Sequence, residues 1–150
     1  MKLVLDPSAA VQKALRSRLI GNAVVTALVP AASILDRNQR PAPDPSIIMG
    51  EDQVIDAPEI LLNRSYVRVF STLHIWKKEP STAGVKAISN AIRRAIGVNR
   101  TARLDLGDPD YVCSDCHIER VQFLRDPDGE TSHGVMTIEA LVQQRWSVSI

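Results

Sequence analysis

One short run of residues has the composition of a reactive centre. Cys113, Cys116 and His117 follow the order Cys-x-x-Cys-His. That order is the form of a covalent c-type haem site, but haem attachment requires export, and the N-terminal region lacks the uninterrupted apolar core of a signal peptide. A thioredoxin-like pair would need the start of a helix, where the dipole lowers the pKa of the thiol, whereas residues 118–123 favour a strand.

A structural zinc ion at this run would need four ligands. The chain offers two cysteines and one of its three histidines, His74, His117 or His133, so the set is short unless subunits share the metal. We therefore expect two reduced thiols where a loop meets a strand, with a disulfide as the alternative. No cofactor and no metal are expected.

A second candidate for chemistry is the acidic loop at residues 104–111. Asp105, Asp108 and Asp110 could supply oxygen ligands to calcium, but the loop lacks the twelve-residue pattern and the distal bidentate Glu. We predict a solvated turn formed by Gly107 and Pro109. The histidines are far apart in sequence, and neither a Gly-x-Ser-x-Gly elbow nor a Gly-rich phosphate loop is present, so no catalytic residue is predicted.

Composition limits the class of protein. The chain has 150 residues, 45% of them hydrophobic, which suits one domain over residues 1–150 with one core. The formal net charge of +1 and the absence of runs of like charge exclude the footprint of a dedicated nucleic-acid binder. No apolar run approaches the length of a membrane span, and neither export nor membrane insertion is expected.

The N-terminal third predicts a helical hairpin followed by extended segments. Asp6 caps a helix that begins at Pro7, and residues 23–28 form a second short helix that Pro30 ends. A short strand is expected at residues 33–35, and β character returns at residues 46–49. Between them, alternating prolines at positions 41, 43 and 45 predict an extended surface loop, and residues 53–62, broken by Pro58, predict a ragged ribbon.

The middle of the chain predicts a strand and a long helix. Residues 65–77 alternate with bulky side chains on both faces, which predicts a central strand covered on both sides. Ser81 is expected to cap the helix and Gly97 to close it. Its apolar stripe consists of Val85, Ile88, Ile92, Ala95 and Ile96.

The C-terminal quarter predicts a β-hairpin. Asp126 and Pro127 suit the first two positions of a type I turn, and Gly129 suits the left-handed position after it. Residues 133–144 then alternate with period two, which indicates a half-buried strand. The fold class is therefore α/β of the α+β kind: a small mixed or antiparallel sheet with a C-terminal hairpin, covered by an N-terminal helical hairpin and one long central helix.

Two blocks of this sequence resemble a known family. The hairpin block reads FLRDPDGETSHGVMTIEALVQ, and the central block, His74 to Gly97, reads HIWKKEPSTAGVKAISNAIRRAIG. Both are similar to segments of the tail-completion, or tail-terminator, proteins of tailed phages and phage-like gene transfer particles. The N-terminal helix, Pro-rich turn, central strand and helix, and final hairpin also follow the family's order, so the resemblance covers nearly the whole chain.

The resemblance implies a structural virion protein of the tail or neck, assembled in the host cytoplasm, and not an enzyme. It implies a homohexameric ring on the head-proximal end of the tail tube, which stops tube growth and offers the surface where the DNA-filled head docks. The implied partners are other copies of the chain, the tail tube protein and the head-tail connector or stopper protein. DNA would pass through the lumen without sequence-specific binding, which fits the near-neutral charge.

Subunit or neck contacts are expected at projecting loops, because loops carry binding more often than sheets do. The candidates are the loop of Pro41, Pro43 and Pro45, the ribbon from Gln53 to Asn63, and the turn of Asp126, Pro127, Asp128 and Gly129. Two alternatives stay open. One is another neck ring, such as a head-completion stopper or adaptor, and the other is a thiol or metal module at Cys113 and Cys116.

Overall fold

The computed structural model describes residues 4–36, 43–60, 64–97 and 103–146. Its elements are α1 (Pro7–Ile20), α2 (Ala23–Leu28), a 3-10 turn (Ala31–Ser33), β1 (Ile34–Leu35), β2 (Ser46–Asp56), β3 (Tyr66–Lys77), α3 (Ala83–Ile96), β4 (Tyr111–Arg125) and β5 (Ser132–Gln144). This is the predicted α+β class, with helices and a mixed sheet.

The five strands form one sheet in the order β1-β2-β3-β5-β4. The short β1 runs parallel to β2, and every other neighbouring pair is antiparallel. The β4–β5 hairpin and the β3–β5 pair provide the longest ladders, as in the register of Val69 opposite Ala140. The sheet is therefore antiparallel apart from one edge.

The helices cover one face of this sheet, and the hydrophobic core lies between the helices and that face. Alternate residues of β3 and β5 are buried and point toward the helices, as the period-two pattern predicts. The largest fully buried side chains include Leu15, Leu19, Leu73, Ile75, Ile88, Ile92, Met136 and Ile138. Each side chain of this size contributes about 1.5–3 kcal/mol on burial, so this layer is the main stabilising feature of the fold.

The helix boundaries follow local chemistry. The Asp6 carboxylate accepts a hydrogen bond from the Ser8 amide at 2.9 Å, and Pro7 is the first helical residue, as predicted. At the end of α3, Gly97 has a φ of 90° and its amide donates to the Arg93 carbonyl. The predicted cap of α3 was off by one residue: Thr82 occupies the cap position, while the Ser81 hydroxyl accepts from the Ala83 amide at 3.1 Å.

Two strand predictions were wrong. Residues 53–56 are not part of a ragged ribbon but form the end of β2, because Val54 and Ile55 pair in register with Val69 and Arg68 across a bulge-interrupted ladder. β3 was expected to be covered on both faces. Its outward residues are only half-buried, and no described element packs over them.

Part of the predicted interface falls outside the described residues. Pro41 and residues 61–63 lie there. Pro43 and Pro45 are described and are half-buried, and the Asp44 carboxylate between them accepts a hydrogen bond from the Lys78 amide at 2.8 Å. Ser46 then begins β2, so the end of this loop is attached to the sheet rather than free of it.

Candidate assembly surface

The Cys-x-x-Cys-His run lies inside β4, two to six residues after the first residue of the strand, Tyr111, and not at a loop junction. Cys113 and Cys116 are each 3% exposed on the helix side of the sheet. Burial raises the pKa of both thiols, that of Cys116 to about 12. Both thiols are therefore protonated at neutral pH, which is the opposite of what a reactive cysteine or a metal ligand needs.

His117 is on the other face of the sheet from the cysteines. Its two ring nitrogens each lie 3.3 Å from a carboxylate, Asp115 on one side and Glu139 on the other. The alternation of the strand separates the histidine from the thiols, so the run does not converge on a point. Within the described ranges, no three His, Cys, Asp or Glu side chains are grouped to hold a metal ion.

The acidic loop before β4 forms turns from its own carboxylates. The Asp105 side chain accepts from the Gly107 amide at 2.9 Å, and the Asp108 side chain accepts from the Asp110 amide at 2.9 Å. Gly107 has a φ of 60°, which suits glycine. The carboxylates are thus occupied by backbone amides, as expected of a solvated turn.

The predicted turn at residues 126–129 is present. The Gly129 amide donates to the Asp126 carbonyl at 3.1 Å, and Gly129 has a φ of 72°. The Asp128 carboxylate accepts from the amides of Glu130 and Thr131 and from the Thr131 hydroxyl, at 2.7–2.9 Å. Pro127 to Glu130 are all exposed, so this tightly bonded turn projects from the end of the sheet.

The described elements leave uncovered the face of the sheet opposite the helices, here called the outer face. It is half-exposed along β3 and β5 and carries mixed aromatic, polar and paired charged residues. Arg68 bridges Glu139 at 3.1 Å and also contacts Glu59. Its β3 and β5 members are Tyr66, Arg68, Phe70, Thr72, His74, Trp76, His133, Val135, Thr137, Glu139, Leu141 and Gln143.

A histidine cluster on the outer face was missed from the sequence. His74 and His133 are 59 residues apart in sequence, but the β3–β5 register brings His74 Nδ1 to 2.9 Å from His133 Nε2. The His133 ring stacks on Trp76 at 3.7 Å between centroids, and His74 Nε2 lies 3.2 Å from Glu51. Burial and the neighbouring His74 lower the pKa of His133 to about 4.

Both ends of the sheet also expose unpaired backbone. The short β1 pairs with β2 at Ile47 and Ile48 only. After Ile48, no described strand pairs with the edge of β2 that faces away from β3. Val54 and Ile55 point to opposite faces there and are 40% and 43% exposed. At the other end, the described strands pair with β4 on its β5 side alone. Open edges of this kind recruit further strands unless they are covered.

Among the described helices, none is both long enough and apolar enough to span a membrane.

Comparison with known proteins identifies the family. Structural similarity extends to a protein of the virion of a native gene transfer agent particle, with a TM-score of 0.72, 19% identity, and 88% of this chain and 93% of that chain covered. The gp17 protein of bacteriophage SPP1 is also similar, with a TM-score of 0.58, 18% identity, and 93% and 94% covered. At these identities the likeness shows a shared fold. No curated protein matches the chain.

The family model described as tail completion protein gp17 matches residues 13–143. This range includes most of α1, the whole of β1 to β4, and all of β5 except its last residue. The chain therefore belongs to the tail completion protein gp17 family.

Proposed function

We propose that this chain, as one domain per subunit, forms a closed homohexameric ring at the head-proximal end of a phage-type tail tube. The ring would end tube growth and offer the surface to which the DNA-filled head docks. The observation that supports this most is a family match over residues 13–143 in a chain whose described residues leave one face of the sheet uncovered and two of its edges open. A subunit of this kind is completed by its neighbours.

The arrangement favours a role in shape and contact rather than turnover. The thiols are buried, the acidic loop satisfies its own amides, and the charged groups of the outer face are largely paired with one another. A heterologous interface whose rotation closes gives a ring, and one that does not close gives a filament. The ring's partners would be its own copies, the tail tube protein and the head-tail connector or stopper protein.

DNA passes through such a ring during ejection without sequence-specific binding. Phosphates bind lysine- and arginine-rich surfaces through counterion release, and a strongly basic lumen would therefore retain the DNA. The chain's net charge of +1 is compatible with a lumen that is neutral or mildly acidic. We expect translocation without a salt-dependent binding step.

The three predicted contact segments remain the proposed contacts with the tube or the neck. Asp126, Pro127, Asp128 and Gly129 form a self-bonded, exposed tip that can dock without prior ordering. Ordering a loop on binding costs affinity, so a tip of this kind suits a docking role. The other two proposed contacts are the loop of Pro41, Pro43 and Pro45 and the segment from Gln53 to Asn63.

Electron microscopy of the purified protein, alone and mixed with tail tubes, tests the proposal. Rings that cap one end of each tube are the expected result. Density for this chain elsewhere in the particle, or its absence from the junction of capsid and tail, would overturn it.

The alternative within the same architecture is another neck ring, such as a head-completion stopper or adaptor. It would share the size and symmetry but bind on the portal side. Co-purification separates the two, since a tail terminator is retained by tail tubes and a stopper by the portal. A thiol or metal module at Cys113 and Cys116 is disfavoured by their burial and raised pKa. Assembly by the Cys113→Ser/Cys116→Ser variant, with no zinc in the wild-type protein, would exclude it.

A further inference from the structure

The two open edges of the sheet, along β2 and β4, differ in charge. The acidic edge, residues 51–56 of β2, carries Glu51, Asp52 and Asp56 and no cation. The basic edge, residues 120–125 of β4, carries Arg120 and Arg125 and no carboxylate. We propose that the acidic edge of one subunit pairs, strand to strand, with the basic edge of the next, which joins the sheets around the ring. This inference rests on the proposed ring.

The strand directions permit this pairing. β2 is antiparallel to β3, β3 to β5, and β5 to β4, so β2 and β4 run in opposite directions at the two ends of one sheet. A rotation about an axis roughly along the strands, as in a cyclic ring, preserves those directions. The β2 of a neighbour placed beside β4 would therefore be antiparallel to it and would continue the alternation of the sheet.

The usable stretches of the two edges also match in length and regularity. Asp52 to Asp56 pair consecutively with β3, beyond the irregularity that follows Met49. Arg120 to Arg125 pair consecutively with β5, beyond the bulge that follows Ile118. The start of β4 is less accessible, since Leu104 and Leu106 are buried next to Tyr111 and Cys113. The two regular stretches are therefore five and six residues long, close to the usual length of a strand.

Side-chain burial supports the same edges. Val54 and Ile55 are on opposite faces of β2 and both are exposed, so a strand laid beside them would shelter apolar surface on both sides. On the basic edge, Leu124 is 41% exposed. The pairing must keep helix-side residues next to helix-side residues, because a one-residue slip exchanges the faces. One register that meets this requirement places Asp52 opposite Arg125. Both side chains are then on the helix side of the sheet, and their charges are opposite.

A charge swap tests the pairing. The first variant, Asp52→Lys/Asp56→Lys, has two positive edges, and the second, Arg120→Glu/Arg125→Glu, has two negative edges. Like charges directly opposite each other destabilise a strand pair, so each variant alone should assemble at least about tenfold more weakly than wild type in size-exclusion chromatography with light scattering. A one-to-one mixture should recover assembly as alternating rings, because each negative edge then meets a positive one.

The quadruple variant, which carries both swaps, should also form rings by itself. The matched control is Arg93→Glu/Arg94→Glu, which makes the same charge change on the exposed side of α3 and should assemble like wild type. Far-ultraviolet circular dichroism checks that every variant is folded, and recovery in the mixture shows in addition that both variants remain competent.

Three results would overturn the inference. Wild-type assembly by either single-edge variant would show that these edges are not in contact. Weak assembly that neither the mixture nor the quadruple variant restores would show that the two edges do not meet each other. In both cases a wild-type ring still stands, and only the pairing fails. A wild-type chain that forms no ring, alone or on tail tubes, would overturn the pairing together with the proposed function.

Discussion

Mild acid should destabilise the folded chain through His133. The 2.9 Å separation between His74 Nδ1 and His133 Nε2 leaves room for one proton between the two nitrogens. Burial of the His133 ring, together with the neighbouring His74, disfavours a positive charge on His133 and lowers its pKa to about 4.

The direction and size of the effect follow from proton linkage. A histidine in the unfolded chain has a pKa of about 6.5, so between about pH 6.5 and pH 4 the unfolded state binds more protons than the folded state, and stability falls as the pH falls. The full difference would correspond to about 3 kcal/mol at 1.36 kcal/mol per pH unit. His133 is only half-buried, and screening by solvent reduces the expected loss to about 1–2 kcal/mol.

Denaturant unfolding at about pH 7.5 and about pH 5 measures this loss in the wild type and in His133→Phe, which keeps a ring on Trp76 but cannot titrate. The variant should lose about 1–2 kcal/mol less than wild type between the two pH values. His117→Gln serves as the matched control, because it removes a half-exposed imidazole from the same face. Burial raises the pKa of Asp52, so protonation of Asp52 stabilises the folded state as the pH falls, opposite to the effect of His133. The test is therefore the difference between wild type and variant, in which the contribution of Asp52 cancels. Equal losses in wild type and His133→Phe would refute the reasoning.

Three further tests probe the turn, the histidine cluster and the thiols. Gly129→Ala places an alanine in the left-handed region, with no atom within 4 Å of its Cβ, and should lower the free energy of unfolding by about 1–2 kcal/mol. Gly107→Ala should lower it by a similar amount, because Gly107 also has a positive φ. Unchanged denaturant midpoints in both variants would contradict this. Gly50→Ala brings a Cβ to 2.6 Å from the His74 ring and should lower the free energy of unfolding by about 1–3 kcal/mol. By disturbing the contact between His74 and His133, it should also weaken the dependence of stability on pH. An unchanged dependence of stability on pH would count against the role of the histidine cluster. Cys116 should react with a thiol reagent only after unfolding, and rapid native-state labelling would disprove its burial.

Elements that depend on neighbouring residues were predictable from the sequence. Asp6 and Pro7 define the start of α1 by a side-chain cap and a fixed φ, and Gly97 ends α3 by adopting a positive φ. The turn from Asp126 to Gly129 is likewise determined within a few residues. The buried face of β5 follows from its period of two. In each case the decisive contacts join residues that are close in the chain.

Features that depend on pairing between distant segments were not predictable. The second half of β2 reads as a broken ribbon because residues 52–56 contain three polar side chains, yet its ladder with β3 makes it a strand. His74 and His133 are 59 residues apart and meet only through the β3–β5 register. Bulky side chains on β3 likewise suggested cover on both faces, although the helices supply it on one.

The sequence by itself thus indicated the family, through the resemblance of two of its blocks. It also determined the fold class, the helix ends and the hairpin turn, through local hydrogen bonding, restricted φ angles and hydrophobic periodicity. The tertiary structure alone decided which face of the sheet stays uncovered and which strands lie at its edges. Strand order is set by contacts between segments far apart in the chain, and no local pattern encodes which edge remains open. For a protein proposed to work by assembly, those open surfaces are the functional part of the molecule.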